Sequence, residues 1–129
     1  PGVELDSITG RIAKQLYPES DITVAGFETT SRPGFYDLAV GNVPFGQYQV
    51  HDPEYDRLGF SIHNYFAAKM LNQVRPGGIV AFVTSRYTLD AKDESVRRYL
   101  ARRDQAPQQR LPRQRRDGRR LGHHLLAAA

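Results

Sequence analysis

The chain has 129 residues, 40% of them apolar and 25% charged, and no cysteine, which bounds it to one domain at most and excludes disulfides and thiolate metal sites. No long apolar run marks a membrane span or a signal peptide, so the composition reads as a soluble globular protein of the cytoplasm. The net charge of +4 is unevenly spread: residues 1–101 hold 10 Lys/Arg against 12 Asp/Glu, a balance of −2, and residues 102–129 hold 8 Arg against 2 Asp, a balance of +6.

Val3-Glu4-Leu5 reads as a short strand end, and Asp6 or Ser7 caps a helix in which Ile8, Ile12 and Leu16 recur on one face until Pro18 stops it. Ile22 to Phe27 is β-branched and strand-like, and Ser31-Arg32-Pro33-Gly34 is a turn cluster. Tyr36 to Val40 makes the next strand. Residues 41–59, with Gly46, Pro53 and Gly59, form a long polar loop of the kind that carries function.

A second helix opens at Ile62, with Tyr65, Phe66, Met70 and Val74 three and four apart, and Arg75-Pro76-Gly77-Gly78 breaks it. Ile79 to Thr84 is a continuous apolar strand of the type buried on both faces of a parallel sheet. Asp90 or Asp93 starts a last helix through Val96, Tyr99 and Leu100. Strands alternating with helices predict an α/β fold with a parallel sheet, and there is no internal repeat.

The most informative stretch is Gly41-Asn42-Val43-Pro44-Phe45-Gly46, at the carboxyl end of the predicted Tyr36–Val40 strand, where open α/β sheets bind ligands. An amide oxygen and a backbone carbonyl together accept both hydrogens of an exocyclic amino group, and an aromatic ring stacks on the base that carries it. The stretch resembles the Asn-Pro-Pro-aromatic motif of the DNA adenine-N6 methyltransferases, above all their helicase-associated branch. Val43 stands where the commoner motif has proline, which keeps the carbonyl and loosens the backbone. The plain alternative is a turn after a strand.

The resemblance covers residues 2–101 and implies a Rossmann-like, doubly wound methyltransferase sheet that transfers a methyl group from S-adenosylmethionine to adenine N6 in DNA. Asn42, Val43, Pro44 and Phe45 would carry the chemistry: Asn42 and the Val43 carbonyl would orient the amino nitrogen, and Phe45 would stack on a flipped base. Gln47 and Tyr48, followed by Gln49 and Val50, would face the substrate. Gly-Val-Glu-Leu-Asp resembles the motif that sets Glu4 on the cofactor ribose. Phe27 and Glu28 would lie near the cofactor adenine, or be a buried ring and a solvated acid. His51 and His63 lack partners at ligand spacing, so no metal is expected. The same motif serves protein glutamine amides and RNA bases, which leaves those substrates open.

No glycine-rich turn precedes Gly2, so the domain reads as incomplete, from the second to the fifth strand of the order 3-2-1-4-5. The absent first strand would lie between Val3–Leu5 and Tyr36–Val40, leaving an open edge at the cofactor site. Such a fragment is expected to bind the cofactor poorly and not to turn over alone. Residues 102–129 lose apolar periodicity and read as an Arg-rich disordered tail. That tail is either a basic arm of a non-enzymatic nucleic-acid binder or an out-of-frame translation, since shifting one base under Gly122–Ala128 permits a buried-strand pattern.

Overall fold

The computed structural model describes residues 1–104 and 124–127. Its strands are β1 (Gly2–Glu4), β2 (Ile22–Val24), β3 (Tyr36–Asn42), β4 (Val74–Val83) and β5 (His124–Ala127). The helices are α1 (Ser7–Leu16), α2 (Ile62–Gln73), α3 (Tyr87–Asp90) and α4 (Ser95–Asp104). All pairings are parallel, in the order β2-β1-β5-β3-β4.

The central place holds a surprise. β5 aligns Gly2 with Leu126 on one side and Leu38 with His124, through to Gly41 with Ala127, on the other. The slot expected to stand open between β1 and β3 is therefore filled by a strand from the segment read as disordered. β1 and β3 would each present a row of unpaired N–H and C=O groups there, and one added strand satisfies both rows. The disordered reading also fails for residues 102–104, which continue α4. Residues 105–123, 128 and 129 of the tail lie outside the described residues.

α1 forms as the sequence predicts, with the Asp6 carboxylate accepting from Thr9 N at 2.6 Å. The face it buries is another matter. Ile8, Ile12 and Leu16 are 66%, 53% and 66% exposed, and the buried residue of the helix is Gly10. A Cβ on Gly10 would stand 2.6 Å from Val24 Cγ2, so the missing side chain lets the helix lie close on the sheet. Gly10 is offset from the isoleucines by two residues, roughly 200° around a helix, which turns their stripe outward.

β4 starts at Val74, directly after α2, and takes in the Arg-Pro-Gly-Gly segment as an irregularity: Tyr36 aligns with Val74, and Leu38 with Ile79. Gly77 adopts a φ of +77°, which suits glycine there. Arg75 also forms an ion pair with Asp37 on β3. The expectation of burial on both faces is not met: Val80 and Phe82 turn to the core, and Ile79 and Val83 remain exposed. Among the described elements, α2 covers one face of this strand pair, while the alternate residues of β4 stay open.

α2 is the centre of the core. Ile62, Tyr65, Phe66, Ala68 and Met70 are buried with Ala39, Val43, Tyr55 and Phe27, and α4 adds Val96 and Tyr99. No helix among the described residues is long and apolar enough to cross a membrane.

Candidate functional site

β3 ends at Asn42, which aligns with Val83, and the Val43 N–H donates to the Val83 carbonyl at 3.4 Å. Val43 and Pro44 then turn inward and are buried, anchoring the loop root in the core. Beyond them the chain runs out to solvent. Phe45 is 60% and Tyr48 49% exposed, and Asn42 and Gln47 are exposed as well. One edge of Phe45 meets His63 on α2, with ring centroids 5.5 Å apart at 61°. A Cβ at Gly46 would stand 2.8 Å from the Tyr48 ring, which therefore lies over the Gly46 backbone. Asn42, Phe45, Gln47 and Tyr48 thus share one exposed tip, while Val43 and Pro44 hold it.

The later part of the loop, residues 51–56, is fixed by a charge cluster that the sequence did not single out. Lys69 on α2 is buried, and its Nζ lies 2.6 Å from Asp52 Oδ2, with side chains only 4% and 7% exposed. The Tyr65 hydroxyl donates to the same oxygen at 2.9 Å, and Lys69 donates also to the Glu28 carbonyl at 3.1 Å. The rings of Phe27, Tyr55 and Tyr65 surround the ammonium at 5.5, 5.7 and 5.8 Å, within cation–π range. Around this centre the loop closes on itself: Asp52 Oδ1 accepts from Glu54 N, and Asp56 Oδ1 accepts from Asp52 N. Asn72 donates to Glu54, and His51 sits 2.7 Å from Asp56.

Burial works against the Asp52 carboxylate, but the Lys69 and Tyr65 side chains and the Glu54 N–H outweigh it and hold its pKa below the ordinary value. Burial first, and then the Asp52 hydrogen bond, push the Tyr65 hydroxyl well above the usual tyrosine range. Both groups therefore keep one protonation state near neutrality, Asp52 charged and Tyr65 neutral. That is how a structural clamp behaves, and not how a poised acid–base pair does. Under the loop lies a cavity of about 240 Å³, walled by Val50, Tyr55, Phe60, Ile62 and Tyr65.

The residues expected to hold S-adenosylmethionine are used otherwise. Glu4 is buried at the end of β1, and its Oε1 accepts from Asp6 N at 2.8 Å. Phe27 begins a 3₁₀ turn, Phe27–Thr29, and stacks on Phe66 at 5.1 Å. Glu28 folds its carboxylate back toward Gly26 and gives its carbonyl to Lys69. Neither the Phe27 ring nor a paired ribose acceptor at Glu4 lies open to a nucleotide, so these residues do not fit the cofactor in this arrangement. Among the described residues no group of three or more His, Asp or Glu is placed to hold a metal ion.

Aligned over 87 positions, the chain is 32% identical to Defense against restriction protein B of Escherichia phage P1, a match covering 62% of this chain and 4% of that protein. No family model matches the chain, and no solved structure matches it. The similarity corrects the assignment drawn from the Asn42–Phe45 motif: it leads to a protein named for defence against restriction and not to a methyltransferase. Methyl transfer as the chain's activity, to DNA adenine or to an RNA or glutamine amino group, falls with that assignment, and a role resting on the basic tail gains no direct support from it. The physical lesson lies in the motif. Four residues leaving a strand suffice to build a buried Val-Pro root under an exposed aromatic tip, whatever that tip serves.

Lys69 and Asp52 carried one legible signal. Lys69 stands in Ala67-Ala68-Lys69-Met70-Leu71, a lone charge in an apolar helical run, which calls for a buried partner. The identity of that partner, 17 residues away across a loop, was not legible.

Proposed function

We propose that this chain is a segment of a restriction-defence protein, and that the tip carrying Asn42, Phe45, Gln47 and Tyr48 is its recognition surface for DNA. The observation that carries the reading is the 32% identity over 87 residues to the phage P1 protein. Because the chain spans only 4% of that protein, the activity of the whole belongs to the proposal. We read the sheet as Rossmann-like, which its parallel pairing and the reversal of direction between β1→β2 and β3→β4 support. In that reading the tip lies at the carboxyl ends of the strands, where such sheets take ligands. An exposed amide and two exposed rings offer hydrogen bonds and flat faces to bases. The cytoplasm, where incoming DNA meets restriction enzymes, is the compartment this role requires.

The test is protection of unmodified DNA. A restricting bacterial strain expressing the full-length parent protein is challenged with unmodified phage, and plating efficiency is compared with that of a vector control. Plating rises if the reading is right and drops back when Phe45 and Tyr48 are both replaced by alanine. Equal plating with and without the parent protein would overturn the reading.

A further inference from the structure

A second surface stands apart from the tip and borders the clamp, sharing Phe60 with the cavity under the loop. α4 and the segment leading into it run beside the 3₁₀ turn Asp56–Leu58, and between them lies an open groove of about 700 Å³. Phe60 and Tyr99 line it, meeting edge to face with centroids 5.6 Å apart. Arg57, Lys92 and Arg102 are exposed along it and form no ion pair among the described residues.

The acids of the groove are already engaged. Asp93 accepts from Ser95 N at 2.8 Å and from its hydroxyl at 2.9 Å, capping α4. Glu94 pairs with Arg98 at 3.0 Å. Three cations without an ion pair among the described residues therefore gather on one groove: Arg57 and Lys92 from residues 1–101, which balance to −2, and Arg102 from the start of the Arg-rich end of the chain.

We propose that this groove holds the sugar–phosphate backbone of a nucleic-acid strand. Two of the three cations are arginines, whose planar guanidinium forks match phosphate oxygens in pairs. The aromatic pair between them adds ring faces and edges on which bases can stack beside a phosphate track. The inference borrows only the DNA partner from the restriction-defence reading and stands on different residues.

Anisotropy of a short labelled single-stranded oligonucleotide, titrated with the whole chain over a salt series, tests it. The triple variant Arg57→Gln, Lys92→Gln, Arg102→Gln should bind more weakly, and its log affinity against log salt should be shallower by about 2, at ~0.7 for each phosphate no longer neutralised. An unchanged slope and affinity would overturn the proposal. Photo-cross-linking of a bromodeoxyuridine strand to the unaltered chain needs no variant to fold, and it should label Phe60 or Tyr99; labelling confined to other positions counts against the groove. Equal competition by polyglutamate of the same charge would point to an acidic protein and reject the nucleic acid. If the triple variant loses binding while the parent still protects phage DNA, the groove stands and restriction defence does not depend on it. If binding is unchanged but Phe45 and Tyr48 still govern protection, the groove alone fails.

Discussion

Replacing Lys69 by methionine keeps most of the side-chain volume among Phe27, Tyr55 and Tyr65 and removes the charge from a site only 4% exposed. Asp52 is then left ionised at 7% exposure, without the ammonium that stood 2.6 Å from Oδ2. Breaking a buried ion pair by removing one partner costs about 3–5 kcal/mol. Here the Tyr65 hydroxyl at 2.9 Å and the Glu54 N–H at 3.1 Å stay with the carboxylate, which sets the expectation at the lower end, ~3 kcal/mol near neutral pH. For a domain of this size that lowers the melting temperature by roughly 10–15 °C.

The pH dependence separates this cause from simple packing loss. In the native protein the Asp52 pKa is held below its unfolded value, so its contribution is present above that value and is lost as pH falls through the folded pKa. In Lys69→Met the buried, unpaired carboxylate has a raised pKa. Its penalty is therefore full at high pH and fades as the pH falls toward the ordinary aspartate value. Urea unfolding followed by circular dichroism from neutral pH down to about pH 4 should show the two curves converging. Because Asp52 anchors the loop, trypsin should also cut after Arg57 far faster in the variant. A loss below about 1 kcal/mol, or a deficit that does not shrink in acid, would refute the assignment of the clamp.

Gly10→Ala puts a methyl group 2.6 Å from Val24 Cγ2 and should destabilise by about 1–3 kcal/mol in the same urea assay. Ile12→Glu, on the exposed side of the same helix, should leave stability within about 0.5 kcal/mol; a larger loss would mean that the stripe is covered in solution. Leu126→Pro removes a backbone donor from the strand paired on both sides. It should therefore cost the sheet its central pairing, seen as faster amide exchange at Val3 and Ala39; unchanged exchange would remove β5 from the sheet.

The local structure was largely legible because it depends on short-range rules. The Asp6 cap, the end of α1 ahead of Pro18, the Tyr36–Val40 strand core and the start of α2 at Ile62 all follow from capping chemistry, proline geometry and periodicity. The exposed tip was half legible: Asn42 and Phe45 stood out in the sequence, while the burial of Val43 and Pro44 beneath them needed the neighbouring strand. The clamp was almost illegible, since a lone lysine announces a need for a partner without naming one 17 residues away.

Composition and periodicity alone account for the alternation of strands and helices, the loop after β3, and the uneven division of charge between residues 1–101 and 102–129. Tertiary structure alone decided which face of α1 meets the sheet, because a steric allowance at Gly10 outweighed an apolar stripe. It also decided that β5 joins β1 and β3, because two rows of unsatisfied backbone groups are a property of assembled strands and of no single segment. Pairing of Lys69 with Asp52, and the gathering of Arg57, Lys92 and Arg102 on one groove, were settled the same way, by segments far apart in the chain brought to one place.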